Sequence, residues 1–277
     1  MPRTSKPASR CTNASAPTPT AFPASRRVEI LVTRPFDDPE DGFGLQQAVL
    51  EEVAAQQRGS AALMWTSSRY VGATRLETRL PGFAAATEAA SGLGFPVLVR
   101  NSGGGAVAAN RGSLSFSLTF PVDDLRHGLY ERYSEGLDLI SSALRRIGVE
   151  AEGGEVEGEF CPGAYSVRSG GPWGVKHAGL AQRVTRRSAR LEALVLVSET
   201  DEVRIVLERV YSLLGLPFRP ESIADLPADL SGVIHALSEE VRRRYEVEEG
   251  RIGEMTMERA RSLRGEWRVI PDSDSSL

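Results

Sequence analysis

Cys161 and Lys176 stand out because the rest of the chain avoids their residue types. Of 33 basic residues only Lys6 and Lys176 are lysines, all others being arginine, and the two cysteines are Cys11 and Cys161. Lys6 and Cys11 share an N-terminal stretch rich in Ser, Thr, Pro and Ala. The remainder of the chain therefore carries one thiol and, fifteen residues later, one amine. An ammonium is compact and titratable where a guanidinium is neither, so a lone lysine in an arginine-only background points to a use for that difference. A thiol becomes a ready nucleophile when a positive charge or a helix N-terminus favours its thiolate. Lys176 and Arg100 are the candidate sources of that field. An ammonium held against a carbonyl oxygen also stabilises the charge of a tetrahedral intermediate. These residue types point to acyl transfer; the plain alternatives are a small buried hydrophobe for Cys161 and a surface lysine for Lys176.

Glycine-rich segments frame both residues. The run Arg100-Asn101-Ser102-Gly103-Gly104-Gly105-Ala106-Val107 reads as the end of a strand, three consecutive glycines and the start of a second strand. Such a turn either presents backbone N–H groups to an anion or carbonyl oxygen, or is a flexible hairpin. No Lys-Ser/Thr follows, which excludes a Walker loop, and a strand rather than a helix follows, which excludes a dinucleotide fingerprint. Cys161-Pro162-Gly163 forms a turn after residues 150–159, an acidic, glycine-bearing run expected to be a mobile loop. His177 adjoins Lys176 and in a strand points to the opposite face, so it is a structural residue before it is a candidate base. His127 and His235 fall on predicted helices, and no His/Cys/Asp spacing suggests a metal site.

Several elements must position these groups. Strands are expected at 28–32, 61–74 (a pair or one bent strand), on both sides of the glycines, and at 164–167, 174–184 and 191–197. Between them, Leu114, Phe116, Leu118 and Phe120 alternate with Ser115, Ser117 and Thr119, predicting one buried and one polar face. Residues 35–42 read as a turn-rich loop. Helices are expected over 44–57 and 83–91, from a cap at Asp123 or Asp124 to about 147, and over 201–214, 231–245 and 255–263. The pattern is α+β: mixed, largely antiparallel sheets flanked by helices, with a helical C-terminal appendage. The expected division is a disordered tail (1–25), a catalytic domain (26–215) and a helical extension (216–277), with the last residues, 271–277, fraying.

Composition narrows the function classes. A formal charge of −4 and a pI near 5.6 supply no basic excess for nucleic acid, although local arginine patches suit an acidic carrier protein. No run approaches the ~20 apolar residues of a membrane span. The first 25 residues lack the apolar middle of a secretory signal. Two cysteines make no disulfide framework, so a reducing cytoplasm is the expected location.

With these stretches in view, the chain resembles the biotin/lipoate protein ligase and transferase superfamily over about residues 28–214. Arg100 to Val107 is similar to that superfamily's Arg-rich, Gly-Gly-Gly-Ala-Val signature. Val175-Lys176-His177-Ala178-Gly179-Leu180-Ala181-Gln182-Arg183 is similar to its Lys-x-x-Gly-x-Ala-Gln motif, in the same order. The resemblance implies a catalytic domain of the biotin/lipoate ligase kind with an acyl-chain tunnel. Arg100, Ser102, Gly103, Gly104, Gly105, Ala106, Gly179 and Ala181 would then surround the carboxyl end of a lipoyl or octanoyl group.

Within the superfamily, Cys161-Pro162-Gly163 ahead of the lysine motif and Arg100-Asn101 in place of the ligases' Arg-Arg look most like the cysteine-dependent octanoyl and lipoyl transferases. That branch implies a thioester on Cys161, Lys176 in contact with the acyl carbonyl, and delivery to a lysine of a lipoyl domain. It requires no cofactor. Its implied partners are the glycine-cleavage H protein, the E2 component of 2-oxoacid dehydrogenases, or acyl carrier protein. Ala109-Asn110 stands where ligases tend to have His-Asp, which turns the reading away from ATP. Ser166 stands where relatives often carry Asp, leaving one hydrogen-bonding partner of the site unassigned. The competing readings are an ATP-dependent lipoate-protein ligase, with Cys161 incidental, and a non-catalytic protein that binds acyl groups or lipoyl domains.

Overall fold

Short apolar runs broken by Gly, Pro and polar turns produce strands, and longer segments with apolar residues three and four apart produce helices. In the computed structural model, which describes residues 27–124 and 128–269, the order begins β1 (Arg27–Val32), α1 (Pro39–Ala54), β2 (Ser60–Trp65), β3 (Tyr70–Ala73) and α2 (Phe83–Gly92). It continues β4 (Val97–Val99), β5 (Val107–Ala109), β6 (Ser113–Pro121), α3 (Leu129–Arg146), β7 (Glu152–Gly153) and β8 (Ser166–Ser169). Then come β9 (Val175–Val184), β10 (Ser188–Leu196), α4 (Thr200–Leu214), α5 (Leu230–Arg244), β11 (Glu246–Glu249) and α6 (Glu254–Ser262). The readings made for the tail 1–25, Lys6, Cys11, His127 and the fraying end 271–277 lie outside the described residues.

The fold is α+β, as expected. A large sheet runs β11-β1-β2-β6-β10-β9-β8-β7, parallel across β11-β1-β2 and antiparallel elsewhere. A small sheet runs β4-β3-β5. On one face of the large sheet, Leu114, Phe116, Leu118 and Phe120 of β6 pack with Leu139, Ile140 and Leu144 of α3 and with Val233, Leu237 and Val241 of α5. The opposite face differs from expectation: Ser115, Ser117 and Thr119 are 8%, 1% and 1% exposed. Alternation reports which residues share a face and not whether that face meets water. Here α1 lies over it, with Leu45 and Val49 packed among Ala61, Leu63 and Trp65 of β2. The supposed solvent face is therefore an interior wall.

Three boundaries also shift. Helix α1 starts at Pro39, inside the expected loop, because the Asp38 carboxylate accepts the Glu40 N–H at 2.9 Å and Pro39 needs no N–H partner. Helix α3 starts at Leu129 after a left-handed Gly128, not at a cap on Asp123 or Asp124. The 216–277 segment, expected to be helical, contains α5 and α6 but also β11, whose four residues add in parallel to the edge of β1. The chain then returns to the small sheet, where the Val99 N–H donates to the Trp267 carbonyl at 2.6 Å. Glu246-Val247-Glu248-Glu249 is too short and too acidic to carry a strand pattern of its own, so backbone pairing decides it.

Helices α1 and α6 cross at Gly44, where an added Cβ would stand 2.3 Å from the Ala260 carbonyl oxygen. Gly44→Ala should force the helices apart and lower unfolding stability by about 1–3 kcal/mol. A urea midpoint identical to that of the parent would refute a tight crossing.

Candidate active site

The thiol is placed by two irregular segments that the two sheets bring together. The glycine turn between β4 and β5 supplies the first. Gly105 N–H donates to Cys161 Sγ at 3.1 Å, and Arg100 Nη2 lies 3.6 Å from the same sulfur. Arg100 is held in turn by Ser102 Oγ at 3.0 Å and the Gly105 carbonyl at 2.6 Å. Gly104 has φ 102° and a Cβ there would fall 2.6 Å from Sγ, so both conformation and space require glycine. A guanidinium and a backbone N–H donor thus converge on one sulfur.

The second segment, between β7 and β8, carries Cys161 itself at φ 45°, a left-handed conformation unusual for a residue with a side chain. Its N–H donates to the Tyr211 hydroxyl at 2.6 Å, and that hydroxyl donates to the Ala106 carbonyl at 2.9 Å. The Ala106 N–H donates to Glu77 Oε1 at 2.6 Å, and Glu77 Oε2 accepts the Thr74 N–H at 2.9 Å. Tyr211 on α4 and Glu77 in a 3-10 turn before α2 thus clamp the two segments against each other.

Lys176 approaches from the large sheet. Its Nζ donates to the Phe160 carbonyl at 2.8 Å, the Cys161 carbonyl at 3.0 Å and Glu159 Oε1 at 3.2 Å, and it lies 4.5 Å from the centre of the Phe160 ring. Three N–H bonds meet three acceptors, so the amine grips the backbone behind the thiol. Burial draws its pKa below the ordinary lysine value, against the opposing pull of Cys161 and Glu159. Glu159 accepts also from Ser166 Oγ at 2.6 Å, Gly163 N–H at 3.2 Å and, on Oε2, Val156 N–H at 3.0 Å. Residues 150–159, expected to be a mobile loop, therefore end in a fully buried carboxylate. Ser166, where the hydrogen-bonding partner was unassigned, bonds that same group.

A β-bulge sets this geometry. Val167 pairs with Ala178 but Arg168 pairs with Lys176, which leaves His177 as the extra residue. In a regular strand Lys176 and Gly179 would face opposite sides; across the bulge both border one cavity. A Cβ on Gly179 would sit 3.1 Å from Lys176 Cε. His177 does not join the site: its Nε2 bonds Ser169 Oγ at 2.8 Å.

The cavity runs from Cys161 between α1 and the large sheet. Of the residues expected around an acyl group, Arg100, Ser102, Gly179 and Ala181 border it together with Cys161 and Lys176. Gly105 reaches the sulfur through its N–H, Gly104 leaves it room by lacking a Cβ, Ala106 is buried behind them, and Gly103 is exposed. The far wall brings residues that sequence reasoning missed: Tyr70, Trp65, Arg190, Glu192 and Trp267. Tyr211 and Glu159 were missed as well. Each carried a faint signal, a tyrosine in the apolar stripe of α4 and an acid directly before Phe160-Cys161.

A sequence model described as the lipoyl protein ligase A/B catalytic domain matches residues 38–249. An octanoyl-[GcvH]:protein N-octanoyltransferase of Geobacillus kaustophilus is 30% identical over 181 residues, 65% of this chain and 63% of that relative. The protein of the same name in Bacillus velezensis is 26% identical over 216 residues, 74% of each chain. A crystal structure of lipoate-protein ligase A bound with ATP has the same fold, with a TM-score of 0.68 at 19% identity over 86% of this chain and 94% of that one.

Burial depresses the His177 pKa to about 4 from an ordinary value near 6.5. Between those values the unfolded chain binds a proton that the folded chain does not, so stability falls as the solution is acidified through this window and is fully present above about pH 6.5. The loss should approach about 3 kcal/mol by pH 4. His177→Gln should flatten that part of the denaturant-derived stability profile; an unchanged slope would show that the imidazole is solvated.

Proposed function

Because the chain belongs to the lipoyl protein ligase A/B catalytic domain family, we propose that it is an acyltransferase that moves an octanoyl or lipoyl group through Cys161. The observation that carries this reading is the sulfur held by Gly105 N–H and Arg100 at the mouth of a cavity bordered by both family motifs. The donor is an acylated H protein, as in the names of the relatives, or acyl carrier protein. The acceptor is a lysine of a lipoyl domain such as that of a 2-oxoacid dehydrogenase E2. The cytoplasm is where these partners meet.

In the first step Sγ attacks the acyl carbonyl carbon, a C–S bond forms, and the bond to the donor's nitrogen or sulfur breaks. The thiol proton leaves with the donor. In the second step the acceptor amine attacks the thioester, an amide forms and the thiol is restored. Each step exchanges one acyl bond for another, so neither needs ATP or another cofactor. Gly105 N–H and Arg100, freed from the sulfur as its lone pair enters the C–S bond, are the nearest donors for the oxygen of the tetrahedral intermediate. Lys176 acts through the Phe160 and Cys161 carbonyls as a positioning residue, with its charge behind the reacting carbon.

Intact-mass analysis after mixing with octanoylated H protein should show an octanoyl adduct that Cys161→Ala eliminates together with transfer. Transfer from lipoate and ATP that survives Cys161→Ala would overturn the thioester route in favour of a ligase. Lys176→Arg should lower transfer by ~10²-fold or more, because a displaced turn misplaces the sulfur. Unimpaired transfer by that variant would remove Lys176 from the mechanism.

A further inference from the structure

Strand register measures the cavity. Gly179 pairs with Leu194, Leu194 with Ser115 and Ser115 with Trp65, so one residue from each of β9, β10, β6 and β2 stands in a row across the large sheet. All four border the cavity. Neighbouring strands lie about 4.8 Å apart, so three steps put Trp65 about 14 Å from Gly179. Gly179 adjoins the Lys176 side chain, whose amine bonds the Cys161 carbonyl at 3.0 Å. Trp65 therefore marks the end remote from the reacting carbon. A contact distance of about 4 Å at its ring leaves about 10 Å of free length, which an extended octanoyl chain spans.

Four aromatic rings stand at that end. Phe43 of α1 lies 5.9 Å from Trp65, 5.1 Å from Tyr70 and 5.7 Å from Trp267, centre to centre, and all four rings border the cavity. Phe43, Trp65 and Tyr70 fall within residues 38–249, the span matched to the family, whereas Trp267 comes from the segment after α6, beyond it. This segment is fastened on two sides. The Trp267 carbonyl accepts the Val99 N–H at 2.6 Å and Arg268 bridges to Leu98 on the small sheet. Arg264 pairs with Asp41 at 2.5 Å and Arg268 with Glu40 at 2.7 Å on the first turn of α1. The indole, 5% exposed, cannot step aside without breaking these contacts.

Methylenes that reach the rings gain by leaving water, but methylenes added beyond the free length must push a packed wall outward. We infer that Trp267 is a specificity-determining residue: it sets the upper length of the acyl chain, and a longer chain enters only by displacing the C-terminal segment. This inference rests on the acyl-transfer reading above and adds the residue that limits the substrate, one supplied from outside the family's matched span.

The test uses the full chain and two small thioester donors, the N-acetylcysteamine esters of octanoate and dodecanoate. Sγ attacks the thioester carbonyl, the bond to the cysteamine sulfur breaks, and that thiol departs with the Cys161 proton. The second-order constant for adduct formation is read by intact mass. In the parent chain dodecanoyl should react at least ~10-fold more slowly than octanoyl, the effect of overfilling a packed site. In Trp267→Ala the dodecanoyl-to-octanoyl ratio should rise towards one; Trp267→Leu, a milder change, carries the test should the alanine variant not fold and should raise the ratio less. A misplaced sulfur slows both donors alike and leaves the ratio where it was. Equal constants for the two donors in the parent chain, or a ratio unaltered in the folded variants, overturn the length inference and leave acyl transfer standing. No adduct from either donor overturns both.

Discussion

The site depends on one buried ion pair. Removing a lysine amine and a carboxylate from water costs several kcal/mol per ion, and the cost is offset only when every donor and acceptor is engaged. Lys176 and Glu159 meet that condition: the amine has three acceptors, and the carboxylate has donors from Lys176, Ser166, Gly163 and Val156. The pair adds little net stability for its cost. What it fixes is position, because it fastens the irregular chain around Phe160 and Cys161 to a rigid strand. The small gap beside Gly179 also explains the residue type, since a guanidinium is wider than the space the ammonium fills.

Everything else around the sulfur follows from that anchor. With the Cys161 carbonyl held from behind, its N–H turns toward Tyr211, and a left-handed φ brings Sγ to the glycine turn. Tyr211 links the same residue to Ala106, so the large sheet, the small sheet and α4 all bear on one turn. The bulge at His177 is the device that lets the lysine and the second glycine motif share a cavity. All of these contacts are made within the chain, which locks the side chains of the site through their own packing and hydrogen bonds.

Much of this was legible in the sequence, for physical reasons. The rarity of lysine and cysteine marked both residues, and the glycine run marked the backbone donors. Strands β9 and β10 and helices α4 and α5 fell within two or three residues of their expected bounds, because their apolar patterns are long, with α4 ending at a left-handed Gly215 and α5 starting at a capping Asp229. The supports of the site were not legible. Glu159 looked like one more acid in an acidic loop, and its place directly before Phe160-Cys161 is too faint a signal to tell a carboxylate with four donors from a solvated one. Tyr211 and Glu192 act across 50 or more residues of sequence, Tyr211 on Cys161 and Glu192 on Gln46, a separation that periodicity does not encode. The N-terminal start of α1 was missed because Pro39 reads as a loop residue although it is well suited to a first helical turn.

The misread polar face of β6 ties fold to function. Ser115, Ser117 and Thr119 face α1 with side chains much smaller than the Leu and Phe residues on the reverse. A sheet face of small residues under a helix leaves the layer underfilled, and close packing then depends on what the larger neighbours, Trp65, Arg190, Glu192 and Trp267, fill. They fill the layer incompletely, and the space they leave is bordered by Cys161 and by their polar groups. The alternation that seals one side of the sheet into a hydrophobic core thus opens the other, and the residue types chosen for the open side set what it can hold.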